Sequence, residues 1–170
     1  IKSVKDEPYL ITDYNENKGS LLKKLIDEKK DVYICGEALS HCVNYSLRDF
    51  AEYASNHGFT NKIKLVMNAS SCVVLPFEGM QKLFYINIVK LIDDIKKGDN
   101  GLDLVEIVFW NGEKFIRSDE TVNKIKDFYS DLETPFSDDN YKEFKNEIET
   151  TIRKPKDDDN NSSPEEIPSH

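Results

Sequence analysis

No run of about 18 apolar residues occurs in the 170-residue chain, so no segment reads as a membrane-spanning helix. The first segment, IKSVKDEPYL, is charged and has no long apolar stretch, so no secretory signal peptide is expected there. Basic residues are outnumbered, 23 Lys and Arg against 32 Asp and Glu, for a formal net charge of −9 and a pI near 4.9. A general nucleic-acid or anionic-membrane binder would carry the opposite sign, so neither partner is expected. Cysteine is scarce and odd in number, with three residues. Without a secretory signal these read as free thiols in a reducing compartment, and the expected location is cytoplasmic. Histidine is equally sparse: His41, His57 and His170, none in an Asp-x-His pattern. The chain opens on Ile1 rather than Met, which reads as a fragment or a chain trimmed at its start.

What is present has the grammar of a parallel α/β sheet. Residues 19–29 place Leu21, Leu22, Leu25 and Ile26 at helical spacing, with Ser20 as a candidate N-cap. Residues 31–35 are short and β-rich, and Gly36 bounds them as a strand. From Leu39 to about Asn56, Val43, Leu47, Phe50, Ala51 and Ala54 share one helical stripe, with Ser40 as candidate cap and Gly58 as terminator. Residues 62–67 predict a second strand, 70–76 a loop, and 77–97 a long helix through Met80, Leu83, Phe84, Ile88 and Ile92. Helix, strand, helix, strand, helix with short links predicts a three-layer α/β/α fold with a parallel sheet and right-handed crossovers.

After Gly101 the pattern changes. LDLVEIVFW runs into Asn111-Gly112 and then EKFIR, which predicts a small antiparallel hairpin. Helices are expected over 118–130 and 139–152. Residues 154–170, KPKDDDNNSSPEEIPSH, cannot bury much surface and read as a disordered, acidic and polar tail. Most of the negative charge lies beyond residue 105 and says little about a site nearer the start. The expected organisation is therefore residues 1–100 as an α/β domain, 101–153 as a hairpin and helical extension, and 154–170 as the tail.

The chemistry-bearing stretch is ICGEALSHCVNYSLRDF, residues 34–50. A strand ends near Cys35, Gly36 lets the chain turn, and a helix begins around His41 and Cys42. That places the Cys42 thiol in the first turn of a helix, at the C-terminal end of a parallel strand, where open α/β sheets hold ligands. Unpaired N–H groups and the helix dipole there favour a thiolate and can receive an oxyanion. The arrangement suits a thiolate attacking a carbonyl, followed by thioester hydrolysis. The alternative is a cysteine that only packs beneath its helix, as free cysteines commonly do.

GEALSHCV resembles the nucleophile motif of the isochorismatase-like hydrolases, through Gly36, Ala38, Cys42 and Val43. Ser40-His41-Cys42-Val43 followed by Arg48-Asp49 is similar to a nicotinamidase-like subgroup. That subgroup continues with Asp-Ala-Ser-Ser, a Val and Phe-Glu. Here the chain reads Asn68-Ala69-Ser70-Ser71, Val73 or Val74, and Phe77-Glu78. The likeness covers roughly residues 19–90, and it implies an isochorismatase-like, Rossmann-like fold incomplete at its N-terminus. Cys42 would be the nucleophile. The Glu37–Ala38 peptide would be cis, and the backbone N–H groups of Ala38 and Cys42 would form the oxyanion hole. The implied reaction converts nicotinamide to nicotinate and ammonia, serving NAD salvage.

The family also uses an Asp from its first strand, a Lys-Gly motif, and a divalent metal, zinc by expectation, held by an Asp and histidines. Here Asp13 does not end an apolar strand, and Lys18-Gly19 sits at the start of the helix that leads into the strand. These parts are expected upstream of this chain in the full enzyme, so no metal ligand is assigned. Sheet faces and an edge left open by such a piece would be covered by another copy or by the missing N-terminal portion. The alternatives are a non-catalytic homologue, or another isochorismatase-like cysteine hydrolase acting on a different small substrate.

The remaining residues have plainer expectations. His41 is either a substrate-side group or a helix-terminal residue pointing elsewhere. Cys35 and Cys72 are core or loop fillers. Arg48 and Asp49 form a surface or inter-subunit pair, and Trp110 packs in the hairpin.

Overall fold

The computed structural model describes residues 24–25, 27–71, 78–131 and 137–153. Within them the chain forms a mixed α/β fold in which a sheet is flanked by helices, a generic arrangement compatible with three layers. The strands are β1 (Val32–Glu37), β2 (Ile63–Ser71), β3 (Val105–Trp110) and β4 (Phe115–Ile116), and they lie in that order across the sheet. The helices are α1 (Cys42–Asn56), α2 (Glu78–Lys97), α3 (Asp119–Ser130) and α4 (Asp138–Arg153), with a 3-10 turn over Asp99–Leu104.

β1, β2 and β3 run parallel, and β4 returns antiparallel to β3. The expected hairpin is present, but its first strand is not an appendage. β3 pairs with β2 over Ile63↔Val105 to Val66↔Val108 and is the third parallel strand. The run Val105–Trp110 alternates too little to separate an edge strand from a central one: Val105, Val108 and Phe109 are all buried. A run apolar on both faces belongs inside a parallel sheet. The connecting turn also differs from a two-residue Asn-Gly turn. Trp110 pairs with Phe115, and Asn111 Oδ1 accepts the N–H groups of Glu113 and Lys114, both at 2.9 Å, which closes a four-residue loop.

The helical stripe of α1 lies where its spacing puts it. Val43, Leu47, Phe50, Ala51 and Ala54 are buried against Ile63, Leu65 and Met67, the alternate residues of β2. In α2, Phe84, Tyr85, Ile88, Leu91 and Ile92 join the same core, whereas Leu83 is half exposed. Its i+1 and i+8 neighbours, Phe84 and Leu91, define a stripe rotated away from Leu83. Ser118 caps α3, its hydroxyl accepting the Thr121 N–H at 3.2 Å, and the helix buries Val122, Ile125 and Tyr129. α4 adds Ile148 and Ile152, and the Phe128 and Phe144 rings stack at 3.9 Å.

Gly101 brings the 3-10 turn onto α1. Its φ is +83°, and a Cβ there would lie 2.3 Å from the Ala51 carbonyl oxygen. Only glycine fits this approach. Among the described residues no helix is long and apolar enough to cross a membrane. Of the expected first helix, Lys24, Leu25 and Asp27 are helical; its candidate cap Ser20, the Val73 to Phe77 stretch and the tail lie outside the described residues.

Candidate active site

The site is the turn between β1 and α1, flanked by the end of β2. β1 runs to Glu37, the Glu37–Ala38 peptide is cis, and α1 starts at Cys42. Gly36 carries φ +130°, a backbone region that favours glycine. The Ala38 carbonyl accepts two N–H groups, from His41 at 3.0 Å and Val43 at 3.1 Å, so the turn is closed on itself. Cys42 is the first residue of α1, so its N–H is one of those that a helix leaves without an internal acceptor. Its thiol is exposed, not packed beneath the helix. An exposed sulfur beside such a donor, at the C-terminal end of a parallel strand, can meet a carbonyl carbon while the N–H meets its oxygen.

Ser40 does not cap α1 as its position suggested. His41 occupies the N-cap position without a side-chain cap bond, and Ser40 Oγ lies 3.0 Å from His41 Nδ1. Ser40 is completely buried and its hydroxyl is turned to the imidazole instead. The His41 ring packs on Phe84 at 4.1 Å and meets Tyr45 edge-on at 6.1 Å. It is therefore held beside Cys42 by an aromatic contact from α2 and a hydroxyl from the preceding residue. Arg48 does not pair with Asp49. It reaches across to Asp94 of α2 at 2.9 Å. Cys35, expected as a filler, is exposed: it shares the side of β1 that also carries Tyr33 and Glu37, the exposed positions of the strand.

The end of β2 is the part that sequence reasoning missed. The β1–β2 register runs Ile34↔Leu65 and then Gly36↔Ser70, so Val66–Ala69 face a single residue of β1 and form a bulge. Two side chains hold it. Ser70 Oγ donates to the Val66 carbonyl at 2.8 Å. Asn68 brackets Trp110 of β3: Asn68 Nδ2 donates to the Trp110 carbonyl at 2.8 Å, and the Trp110 N–H donates to Asn68 Oδ1 at 2.9 Å. A carboxylate could accept the second bond but could not make the first. Asn68, where the resemblance has Asp, is thus the residue type that the bracket requires. Beyond the bulge, Ser71 pairs with Glu37, directly before the cis peptide. The signal in the sequence was the cluster Asn68-Ala69-Ser70-Ser71 within an apolar strand, which marks a place where the ladder is interrupted.

A small apolar cavity of about 50 Å³ lies next to this end of the sheet, between Leu39, Met67, Asn68 and Ser70 on one side and α3 and α4 on the other. Its room suits a water-sized group rather than a ring.

A zinc site is not supplied by the described residues. No three His, Cys, Asp or Glu side chains come together among them to hold a metal ion. His41 is placed as above, and His57 Nδ1 lies 2.8 Å from the Tyr53 carbonyl with its ring stacked on Tyr53 at 3.9 Å. No family model matches the chain, and no curated protein or solved structure matches it significantly.

Proposed function

We propose that the chain belongs to a nicotinamidase-like amidohydrolase of the isochorismatase-like kind and carries its nucleophile. The single observation that supports this best is the exposed Cys42 thiol on the first residue of α1, directly after the closed turn at the C-terminal end of β1. In this reading the Cys42 thiolate adds to the amide carbonyl carbon of nicotinamide. The backbone N–H groups of Ala38 and Cys42 hold the resulting oxyanion. The C–N bond breaks, and the leaving nitrogen takes up the proton given up by the Cys42 thiol and departs as ammonia. Water then adds to the thioester, the C–S bond breaks, and nicotinate and the free thiol result. His41 lies on the substrate side of the thiol. The base, the lysine and the metal ligands of this family are not among the described residues, so the reading assigns only the nucleophile and its oxyanion donors to this chain.

The test is ammonia release from nicotinamide by the whole gene product, before and after Cys42→Ala. Activity that vanishes in the variant, with an unchanged circular dichroism spectrum, supports the reading. Full activity in the variant rules out the mechanism. No ammonia from the unaltered protein leaves a non-catalytic homologue or a hydrolase of another small amide or ether.

A further inference from the structure

A polar ladder links the start of α1 to α2. On one side stand Asn44 and Arg48, four residues apart and so on one face of α1, with Ser40 just before the helix. On the other stand Asn87 and Asp94 of α2, seven apart and again on one face. Asn87 Nδ2 donates to the Ser40 carbonyl at 3.3 Å, and Asn44 Nδ2 donates to the Asn87 carbonyl at 3.4 Å. Arg48 Nε donates to Asn44 Oδ1 at 2.7 Å, and its guanidinium reaches Asp94 at 2.9 Å. Asn44 is only 3% exposed and Ser40 is fully enclosed, so the rungs nearest the cysteine are shielded from water.

Apolar side chains hold packed helices together but tolerate small slides and rotations. Buried hydrogen bonds do not, because a displaced donor or acceptor is left without a partner at full desolvation cost. Ser40 and Asn44 stand two residues before and two residues after Cys42, and Asn87 meets both: its side-chain amide donates to the Ser40 carbonyl, and its backbone carbonyl accepts from the Asn44 side chain.

We infer that Asn87 is a positioning residue for Cys42: its side-chain bond to the Ser40 carbonyl, beside the bond from Asn44 to its backbone, sets the rotation and register of the first turn of α1, and so the direction of the thiol. Arg48 and Asp94 repeat the constraint one helical turn further on. The inference rests on the reading of Cys42 as the nucleophile. Asn87 itself touches neither substrate nor sulfur in this arrangement and acts through Ser40 and Asn44.

The chain provides its own control. Cys35 is a second exposed thiol, on β1 and outside the ladder. Alkylation by iodoacetamide, followed peptide by peptide by mass spectrometry on the intact chain, reads both rates in one sample. A general loosening moves both, whereas a loss of positioning moves Cys42 alone. Asn87→Asp keeps the size but turns an acceptor towards the Ser40 carbonyl. In that variant the Cys42 rate falls about fivefold relative to Cys35, the size of effect expected for a coupled network. Arg48→Lys keeps the charge opposite Asp94 and removes the Nε bond to Asn44; it moves the ratio the same way by about twofold and serves if Asn87→Asp does not fold. A wild-type Cys42 that reacts no faster than Cys35 would overturn the nucleophile reading itself. A fast Cys42 indifferent to these substitutions would overturn the positioning role and leave that reading standing.

Discussion

Asn68→Asp would install the residue type that the sequence resemblance leads one to expect there, and the structure makes it unfavourable. Asn68 is half exposed and uses both ends of its amide on the backbone of Trp110, at 2.8 and 2.9 Å. An ionised Asp there loses the donated bond, worth about 1 kcal/mol net, and sets a carboxylate oxygen against a carbonyl oxygen. Repulsion at a partly solvated site adds roughly 1–2 kcal/mol. Against this, the bond from the Trp110 N–H becomes charge-assisted and gains about 1 kcal/mol. The net cost at pH 7 is about 1–2 kcal/mol.

Acid should relieve this cost. A protonated carboxyl can donate to the Trp110 carbonyl as the amide does, so the folded state favours the neutral form. The folded pKa of the introduced group then lies above its unfolded value of about 3.9. Its interaction is stabilising below the unfolded pKa and is lost as pH rises through the folded one, so the deficit against wild type opens between about pH 4 and 6. Urea titrations of both proteins at pH 4 and pH 7, with equal m values, measure it. Asn68→Ala removes both bonds and should cost about 2 kcal/mol at either pH. An Asn68→Asp protein within about 0.3 kcal/mol of wild type at pH 7, or equally destabilised at both pH values, would refute the bracket.

Two further substitutions test the packing. Gly101→Ala combines a left-handed φ with a Cβ 2.3 Å from the Ala51 oxygen. It should cost at least about 3 kcal/mol and lower the melting temperature by roughly 10 °C; a shift under about 2 °C would show that the turn moves aside freely. Lys64 is 5% exposed, and its ammonium has the Tyr33 hydroxyl at 3.2 Å and the Tyr33 ring at 5.0 Å but no carboxylate within 4.0 Å among the described residues. Its register partner Glu106 pairs with Arg117 instead. Lys64→Met keeps the packing and removes a buried ammonium that meets no carboxylate among the described residues, so denaturant titration should show about 1 kcal/mol of stabilisation. Destabilisation would mean that the tyrosine contacts outweigh desolvation.

Legibility followed the range of the interactions. The stripe of α1 was readable because Val43, Leu47, Phe50, Ala51 and Ala54 state a helical period within twelve residues, and one buried face suffices to place it. The ends of the strands were less so. β2 continues to Ser71, past its apolar run, because bonds from Ser70 and Asn68 replace ladder bonds through a bulge. β3 read as part of a hairpin because Asn111-Gly112 is a strong local cue, while its parallel partner stands 42 residues earlier and leaves no local trace. Local signals thus outvoted a pairing that only the folded sheet displays.

The candidate site divides along the same line. The placement of Cys42 at a strand-to-helix turn is a local property, and Gly36 and the start of the α1 stripe announce it. What surrounds the thiol is not local. Phe84 against His41, Asn87 on Ser40 and Asp94 on Arg48 all come from α2, more than forty residues on. In sequence, Asn44 and Arg48 look like the solvated side of α1, because nothing in a helical period distinguishes a polar face that meets water from one that meets another helix's polar face. Burial separates them, since Asn44 is 3% exposed. A polar residue retained at such a contact forgoes apolar packing in exchange for a defined register. On this turn the register decides where the sulfur points, so the residues that matter after Cys42 itself are the polar ones that its own helix face conceals.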